Sequence, residues 1–159
     1  MREPSSILKP VRPAMMRLTA LEPAANPLLA EAERHGTAFM RRLFLEWDAG
    51  ANRFDRPGEI ILGAWQDDRL VGLGGLNRDP YVAEDDVGRL RHVYVLASHR
   101  SLGVGALLVR HLLRDAEGHF RIVRLRAALP ESAAFYRRLG FMECGDPAAT
   151  HVIPVPPSP

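Results

Sequence analysis

Residues Arg100-Ser101-Leu102-Gly103-Val104-Gly105 lie between a strand-like run and a long apolar helix, and they restrict the chain more than any other stretch. Before them, Val93-Tyr94-Val95-Leu96 is β-branched and aromatic and reads as a strand. After them, Val104, Leu107, Leu108 and Leu112 fall at i, i+3, i+4 and i+8, one face of a helix. A strand that empties through two glycines into a helix N-terminus aims several unpaired N–H groups at one spot. Those donors, with the positive end of the helix dipole, suit a phosphate or pyrophosphate. Glycine removes the Cβ that would hold an anion off the backbone, and Arg100 adds a charged donor. On spacing alone, an ordinary strand-to-helix turn beside a solvated arginine fits equally well.

Around this turn the chain is ordinary in size and composition. Its 159 residues suit one domain, and 47% hydrophobic with 25% charged residues places it in the soluble globular class. No apolar run approaches the roughly 20 residues of a membrane span. Met1 to Pro13 lacks the apolar centre of a secretory signal. Cys144 is the single cysteine, so no internal disulfide forms and a cytoplasmic location is expected. The histidines and the cysteine show no metal-ligand spacing, so no metal is expected. A net charge of +2 is too small to announce nucleic acid. Lys9 is the only lysine, and the arginines are scattered among acids rather than drawn into a stripe.

In chain order, residues 1–14 read as an N-terminal arm, 15–155 as one domain and 156–159 as a tail. Met15–Leu21 is expected as a strand, followed by a helix over Ala24–His35 that Gly36 stops. Thr37 then caps a second helix with Phe39, Leu43 and Trp47 as its apolar stripe. Strands follow at Glu59–Trp65, Leu70–Leu76 and Gly88–Leu96, the middle one dense in glycine, which hints at a bulge or a close approach. The helix after the glycine turn runs to about Glu117. Strand Arg121–Ala127, a short helix from Pro130 to Leu139, and strands at Phe141 and Thr150–Val155 complete the chain. The order β-αα-βββ-α-β-α-ββ is α+β with a mixed sheet, not regular βαβ alternation.

Three familiar sites are absent. No Gly-Lys-Ser/Thr triplet completes a Walker A loop. Leu108 stands where a dinucleotide fingerprint needs its third glycine. Neither Ser98 nor Ser101 lies in a G-x-S-x-G frame. A second signal does appear about 30 residues on: Phe135-Tyr136-Arg137-Arg138-Leu139-Gly140-Phe141.

R-x-x-G-x-G after a V-Y-V strand, with F-Y-x-x-L-G-F downstream, resembles the GNAT superfamily of acyl-CoA N-acyltransferases, over roughly residues 15–155. The resemblance implies a central mixed, mostly antiparallel sheet flanked by helices, with its fourth and fifth strands splayed for CoA. It implies acetyl-CoA as donor, held at the pyrophosphate by the amides of Leu102, Gly103, Val104, Gly105 and Ala106 and by Arg100. The exposed backbone of Val93, Tyr94 and Val95 would pair with the pantetheine amides, with Phe135 beside them. Tyr136 would protonate the departing thiolate. Phe135 and Leu139, at i and i+4, also suit a core stripe, whereas for Tyr136 function is favoured over an exposed phenol.

The acceptor amine must be neutral to attack, and many relatives place a glutamate or histidine base on the strand before the phosphate turn. Here those positions fall on Arg89 and Arg91, which stay protonated and cannot serve. His92 is the nearest replacement, but strand parity sets 89, 91, 93 and 95 on one face and 92 on the other, so only a bulge would rescue it. Glu59, Asp79 and Glu84 are further candidates. Arg89 and Arg91 would suit an acceptor carboxylate, or would answer Asp85 and Asp86 as a solvated pair. The loops holding Phe54 and Asn77 are acceptor-site candidates. Leu129 replaces an asparagine that relatives often have before the tyrosine. The expected activity is transfer of an acetyl group to a primary amine of a small molecule. The alternatives are an acyl-CoA-binding module without catalysis and a protein N-acetyltransferase. The expected partners are the amine and a second copy in a homodimer, with no nucleic acid and no membrane.

Overall fold

The computed structural model describes residues 12–158, so most of the expected arm lies outside the described residues. Seven strands form one sheet: β1 (Ala14–Arg17), β2 (Ile60–Gln66), β3 (Arg69–Arg78), β4 (Val87–Val95), β5 (Ile122–Leu125), β6 (Met142–Asp146) and β7 (Ala149–Pro154). Their spatial order is β1-β2-β3-β4-β5-β7-β6. Every neighbouring pair is antiparallel except β4–β5. Helices α1 (Asn26–Arg34) and α2 (Phe39–Asp48) precede β2, α3 (Val104–Ala116) is the β4–β5 crossover, and α4 (Pro130–Arg138) follows β5. This is the expected α+β order with its mixed sheet.

Local expectations needed adjustment. The first strand ends at Arg17, and Leu18 and Leu21 turn into the core beyond it. Thr37 does not cap α2; Ala38 does, without a side-chain bond. The buried face of α2 is Met40, Leu43 and Phe44, which leaves Phe39 partly exposed and frees it for another surface. On α3, Val104, Leu108, Val109, Leu112 and Ala116 are buried and Leu107 lies at the margin, because the stripe broadens to meet three strands.

The glycines of β3 let two layers press on the sheet. An added Cβ on Gly72 or Gly74 would stand 3.2 and 3.0 Å from Leu108 and Leu112 of α3. On the other face, a Cβ on Gly75 would meet the Phe54 ring at 2.7 Å, so that ring fits only over glycine.

The β3–β4 ladder carries the feature that shapes the centre of the molecule. Leu73 faces Tyr94 and Gly75 faces Arg91, so Gly74 alone opposes both His92 and Val93. His92 takes a left-handed φ of 61°, and β4 bulges there. Beyond the bulge the strand's parity is reversed. Val93 and Val95 turn towards α3, near Gly74 and Gly72. His92 and Tyr94 turn towards α2, each 6.1 Å from the Phe39 ring. The expectation that 89, 91, 93 and 95 share a face therefore fails: Arg91 and His92 face α2, and Val93 and Val95 do not.

Candidate active site

Pairing between β4 and β5 covers three residues, Val87 with Ile122, Gly88 with Val123 and Arg89 with Arg124, and then stops. At the far end of β5, Ala127 N–H donates to Thr150 Oγ1 (2.8 Å), which ties the chain to β7 rather than back to β4. The strands thus part beyond Arg89, and a cleft of about 540 Å3 opens there. Its walls include Thr37, Phe39, His92, Val93, Ala127, Leu129, Ser132 and Tyr136.

At one end of the split lies the glycine turn. Ser101 and Gly103 have φ of 63° and 85°, and Gly103 is the N-cap of α3. The first backbone bond of α3 runs from Leu107 N–H to the Gly103 carbonyl (3.0 Å), so the amides of Val104, Gly105 and Ala106 have no intrahelical acceptor. No side chain caps them. Arg100 is engaged elsewhere: its Nε donates to the Val95 carbonyl (2.9 Å), and its guanidinium lies 3.8 Å from Glu31 and over the Tyr94 ring. Glu31 also accepts from Tyr94 Oη (2.6 Å) and Ala97 N–H, so α1 braces the end of β4. These donors outweigh burial and hold the Glu31 carboxyl below its usual range, although burial alone would raise it. Phe135 closes the same end, 3.4 Å from where a Cβ on Gly105 would stand.

Tyr136 stands on the cleft wall, its ring edge-on to Phe135 (5.0 Å) and Phe141 (5.5 Å). Burial away from water pushes the phenol well above its ordinary value, so it keeps its proton at any physiological pH. His92 also lines the cleft, T-shaped to Phe54 at 6.0 Å, with both ring nitrogens buried and no polar partner beyond a weak contact with the Phe39 backbone. Burial first, then the charge of Arg91 and of Arg42, lower its pKa to about 3. The bulge does bring His92 to the cleft, but as a neutral imidazole with little appetite for a proton.

The other sequence candidates separate. Arg89 is buried: it donates to the Ala148 carbonyl (2.8 Å), lies 3.5 Å from Asp79, and packs over the Tyr81 ring. Asp79 is spent on Arg124 Nε (2.8 Å) and Tyr81 N–H (2.9 Å). Glu59 is spent on the amides of Arg78 (2.9 Å) and Arg56 (3.3 Å). Glu84 is exposed in its loop. Asp85 and Asp86 are answered by Arg78 and Arg121, not by Arg89 or Arg91. Phe54 is a correction: it is 1% exposed and fills the core beneath His92 instead of lining an acceptor site.

A second cavity of about 620 Å3 adjoins the cleft, walled by α2, the 50–56 loop and the end of β3. Asn77 is on its wall, with Oδ1 buried and unpartnered. Arg42, Tyr81 and Arg91 line both cavities and form the neck between them. Of these, Arg42 was missed in the sequence, as were Phe39 and Glu46. The three fall at i, i+3 and i+7 on α2 beside its buried stripe, a pattern that marks a second face. Among the described residues there is no group of three or more His, Cys, Asp or Glu that could hold a metal, and no helix long and apolar enough to cross a membrane.

Comparison with known proteins follows the same lines. The profile of the acetyltransferase (GNAT) family matches residues 18–141. No curated protein matches by sequence. Among solved structures, a protein of Exiguobacterium sp. 255-15 provisionally named an acetyltransferase is 25% identical, with TM-score 0.81 over 91% of this chain and 94% of its own. The ribosomal-protein-alanine N-acetyltransferase of Brucella melitensis is also 25% identical, with TM-score 0.65 over 83% and 86%. A GNAT-family acetyltransferase of Staphylococcus aureus Mu50 is 15% identical, with TM-score 0.67 over 87% and 95%, and shares the fold.

Proposed function

Because the chain belongs to the acetyltransferase (GNAT) family, we propose that it transfers an acetyl group from acetyl-CoA to a primary amine of a small molecule. The observation that carries this reading is the split between β4 and β5, a cleft walled by Tyr136, with Phe135 packed between that tyrosine and Gly105 at the unpaired amides of α3. Those amides, from Leu102 to Ala106, suit the CoA pyrophosphate. The edge of β4 around Val93 and Tyr94, beyond the last pair with β5, suits the pantetheine amides as a ligand strand added to a sheet. At Val95, Arg100 Nε would have to release the carbonyl for the same pairing.

The amine nitrogen bonds to the thioester carbonyl carbon, the C–S bond breaks, and the sulfur takes the Tyr136 proton. Tyr136 recovers that proton from solvent, and the nitrogen gives up its own, so the products are an amide and free thiol. An acid near ~10 donating to a thiolate near ~8.5 is uphill by about 2 kcal/mol in water. Burial opposes both anions, phenolate and thiolate, so the raised Tyr136 does not stand alone in the balance. His92, neutral and weakly basic, orients or packs against the acceptor rather than deprotonating it.

A second reading, an acyl-CoA-binding module without turnover, draws on the lack of a carboxylate among the β4 residues facing the cleft. Release of free thiol from acetyl-CoA, followed against a panel of amines with mass analysis of products, tests both. A peptide beginning with alanine belongs in the panel, given the name of the Brucella relative. Stabilisation by CoA without thiol release from any acceptor would favour the second reading.

A further inference from the structure

Two arginines set the charge of the neck between the two cavities. Arg42 and Arg91 enter it from α2 and β4. Among the described residues Arg42 has no ion-pair or hydrogen-bond partner. Arg91 has one loose partner, Glu46 at 3.8 Å, too far for a hydrogen bond. Glu46 Oε2 is itself buried with no donor. Of the other carboxylates around the two cavities, Asp79 is shared by Arg124 and Arg89, while Glu59, which accepts from backbone amides, and Asp55 line the outer cavity and not the cleft. Both arginines act on His92 at the cleft end, where they help keep it uncharged. Two planar guanidiniums with unused donors fit a carboxylate in the bidentate manner.

Resting on the acyl-transfer reading above, we infer that the acceptor is an amine carrying its own anionic group, held at the neck between Arg42 and Arg91 while the amine points into the cleft. The acceptor's anion makes the hydrogen bonds that Glu46 leaves unmade. Arg89, which the sequence pairs with Arg91, lies deeper and away from the neck: it is buried, tied to the Ala148 carbonyl and packed over Tyr81, with Asp79 at 3.5 Å and its Nη1 without a hydrogen bond. Tyr81, held by the Asp79 turn and by Arg89, lines both cavities with the two arginines. The remainder of the acceptor extends into the outer cavity, where Asn77 Oδ1 can accept an N–H. An acceptor whose only charge is its ammonium meets two cations at the neck, so diamines are disfavoured. The proton leaves the ammonium to water before attack, and bond making and breaking are as described above.

The test compares kcat/KM for matched acceptors: an amino acid, its uncharged amide, an aminoalkyl phosphonate and a diamine, with the wild type and with Arg42→Gln and Arg91→Gln. The expected order is anionic over neutral over diamine, with at least tenfold between the ends. Either variant should compress that order while KM for acetyl-CoA stays unchanged. The carboxylate and phosphonate arms separate the two anion sources. Equal or better use of the diamine, or variants that slow every acceptor alike, would overturn the inference and leave acyl transfer standing. If no acceptor releases thiol, calorimetry of the amino acid against its amide, with CoA bound, decides separately. Binding of the amino acid that both variants weaken supports the neck even where turnover fails, and equal or absent binding of the two overturns it.

Discussion

Arg91 and His92 are consecutive on β4, yet both side chains face α2, Arg91 towards Glu46 and His92 against Phe39. A regular strand would send them to opposite faces. The bulge opposite Gly74 removes that alternation, and so one short segment furnishes both the neck of the outer cavity and the wall of the cleft.

His92 makes this arrangement pH-sensitive. Its folded pKa of about 3 lies below the unfolded value of 6.5, so between those limits the unfolded chain binds a proton that the folded chain does not. Stability is therefore full above about pH 6.5 and is lost as pH falls, by up to about 1.4 kcal/mol per pH unit. Urea denaturation at intervals between pH 7 and 4 should show this slope, and His92→Gln should flatten it. Equal slopes in the two proteins would refute the assignment.

Tyr136→Phe removes the phenol proton and keeps the ring packing on Phe135 and Phe141. We expect kcat to fall about 10²-fold or more with KM for acetyl-CoA little changed. Since the phenol is held above its usual value by burial, the wild-type rate should show no loss from its ionisation below pH 10. A Phe variant with wild-type kcat would assign proton delivery to another group.

The glycine turn separates conformational from contact effects. Gly103→Ala has open space but keeps a φ of 85°, so it should cost about 1–2 kcal/mol of stability. Gly105→Ala meets Phe135 at an ordinary 3.4 Å and should leave the melting temperature unchanged. It should still weaken acetyl-CoA binding about tenfold, roughly one charge-assisted hydrogen bond. Unchanged affinity in the Gly105 variant would place the pyrophosphate elsewhere.

Asp79 joins β3, β4 and β5 through Arg89 and Arg124, both buried. Asp79→Asn removes the buried carboxylate between the two guanidiniums, leaving Arg124 the half-exposed Asp146 and Arg89 the Ala148 carbonyl, and should destabilise the fold by about 3 kcal/mol. It should also loosen Tyr81, whose amide the carboxylate holds. Denaturant midpoints measure the first effect. A loss of acceptor discrimination at temperatures where the variant remains folded reports the second.

Much of the architecture was legible because it is local. The short apolar run of β2 and the 3.6-residue stripe of α3 mark their elements whatever surrounds them. The residues most altered by the structure are those whose role depends on a partner far away in the chain. Phe54 looked like a loop aromatic until the bare backbone of Gly75 gave it a seat in the core. Arg89 looked like a twin of Arg91 until Asp79 and the Ala148 carbonyl claimed it. Arg42 carried no signal beyond its spacing with Phe39 and Glu46, because a surface arginine on a helix is ordinary.

The sequence by itself determined the order of elements, the anion-suited turn at Arg100–Gly105 and the Phe135-Tyr136 helix, and through these the family. Each is written in backbone preferences and short periodicities that act between near neighbours. Only the tertiary structure decided which way β4 faces and what shares its cleft. The bulge at His92 arises from the register with Gly74, and register is a property of two strands together. The neck brings Arg42, Tyr81 and Arg91 together from a helix, a loop and a strand, and its charge depends on which carboxylates other arginines have already taken.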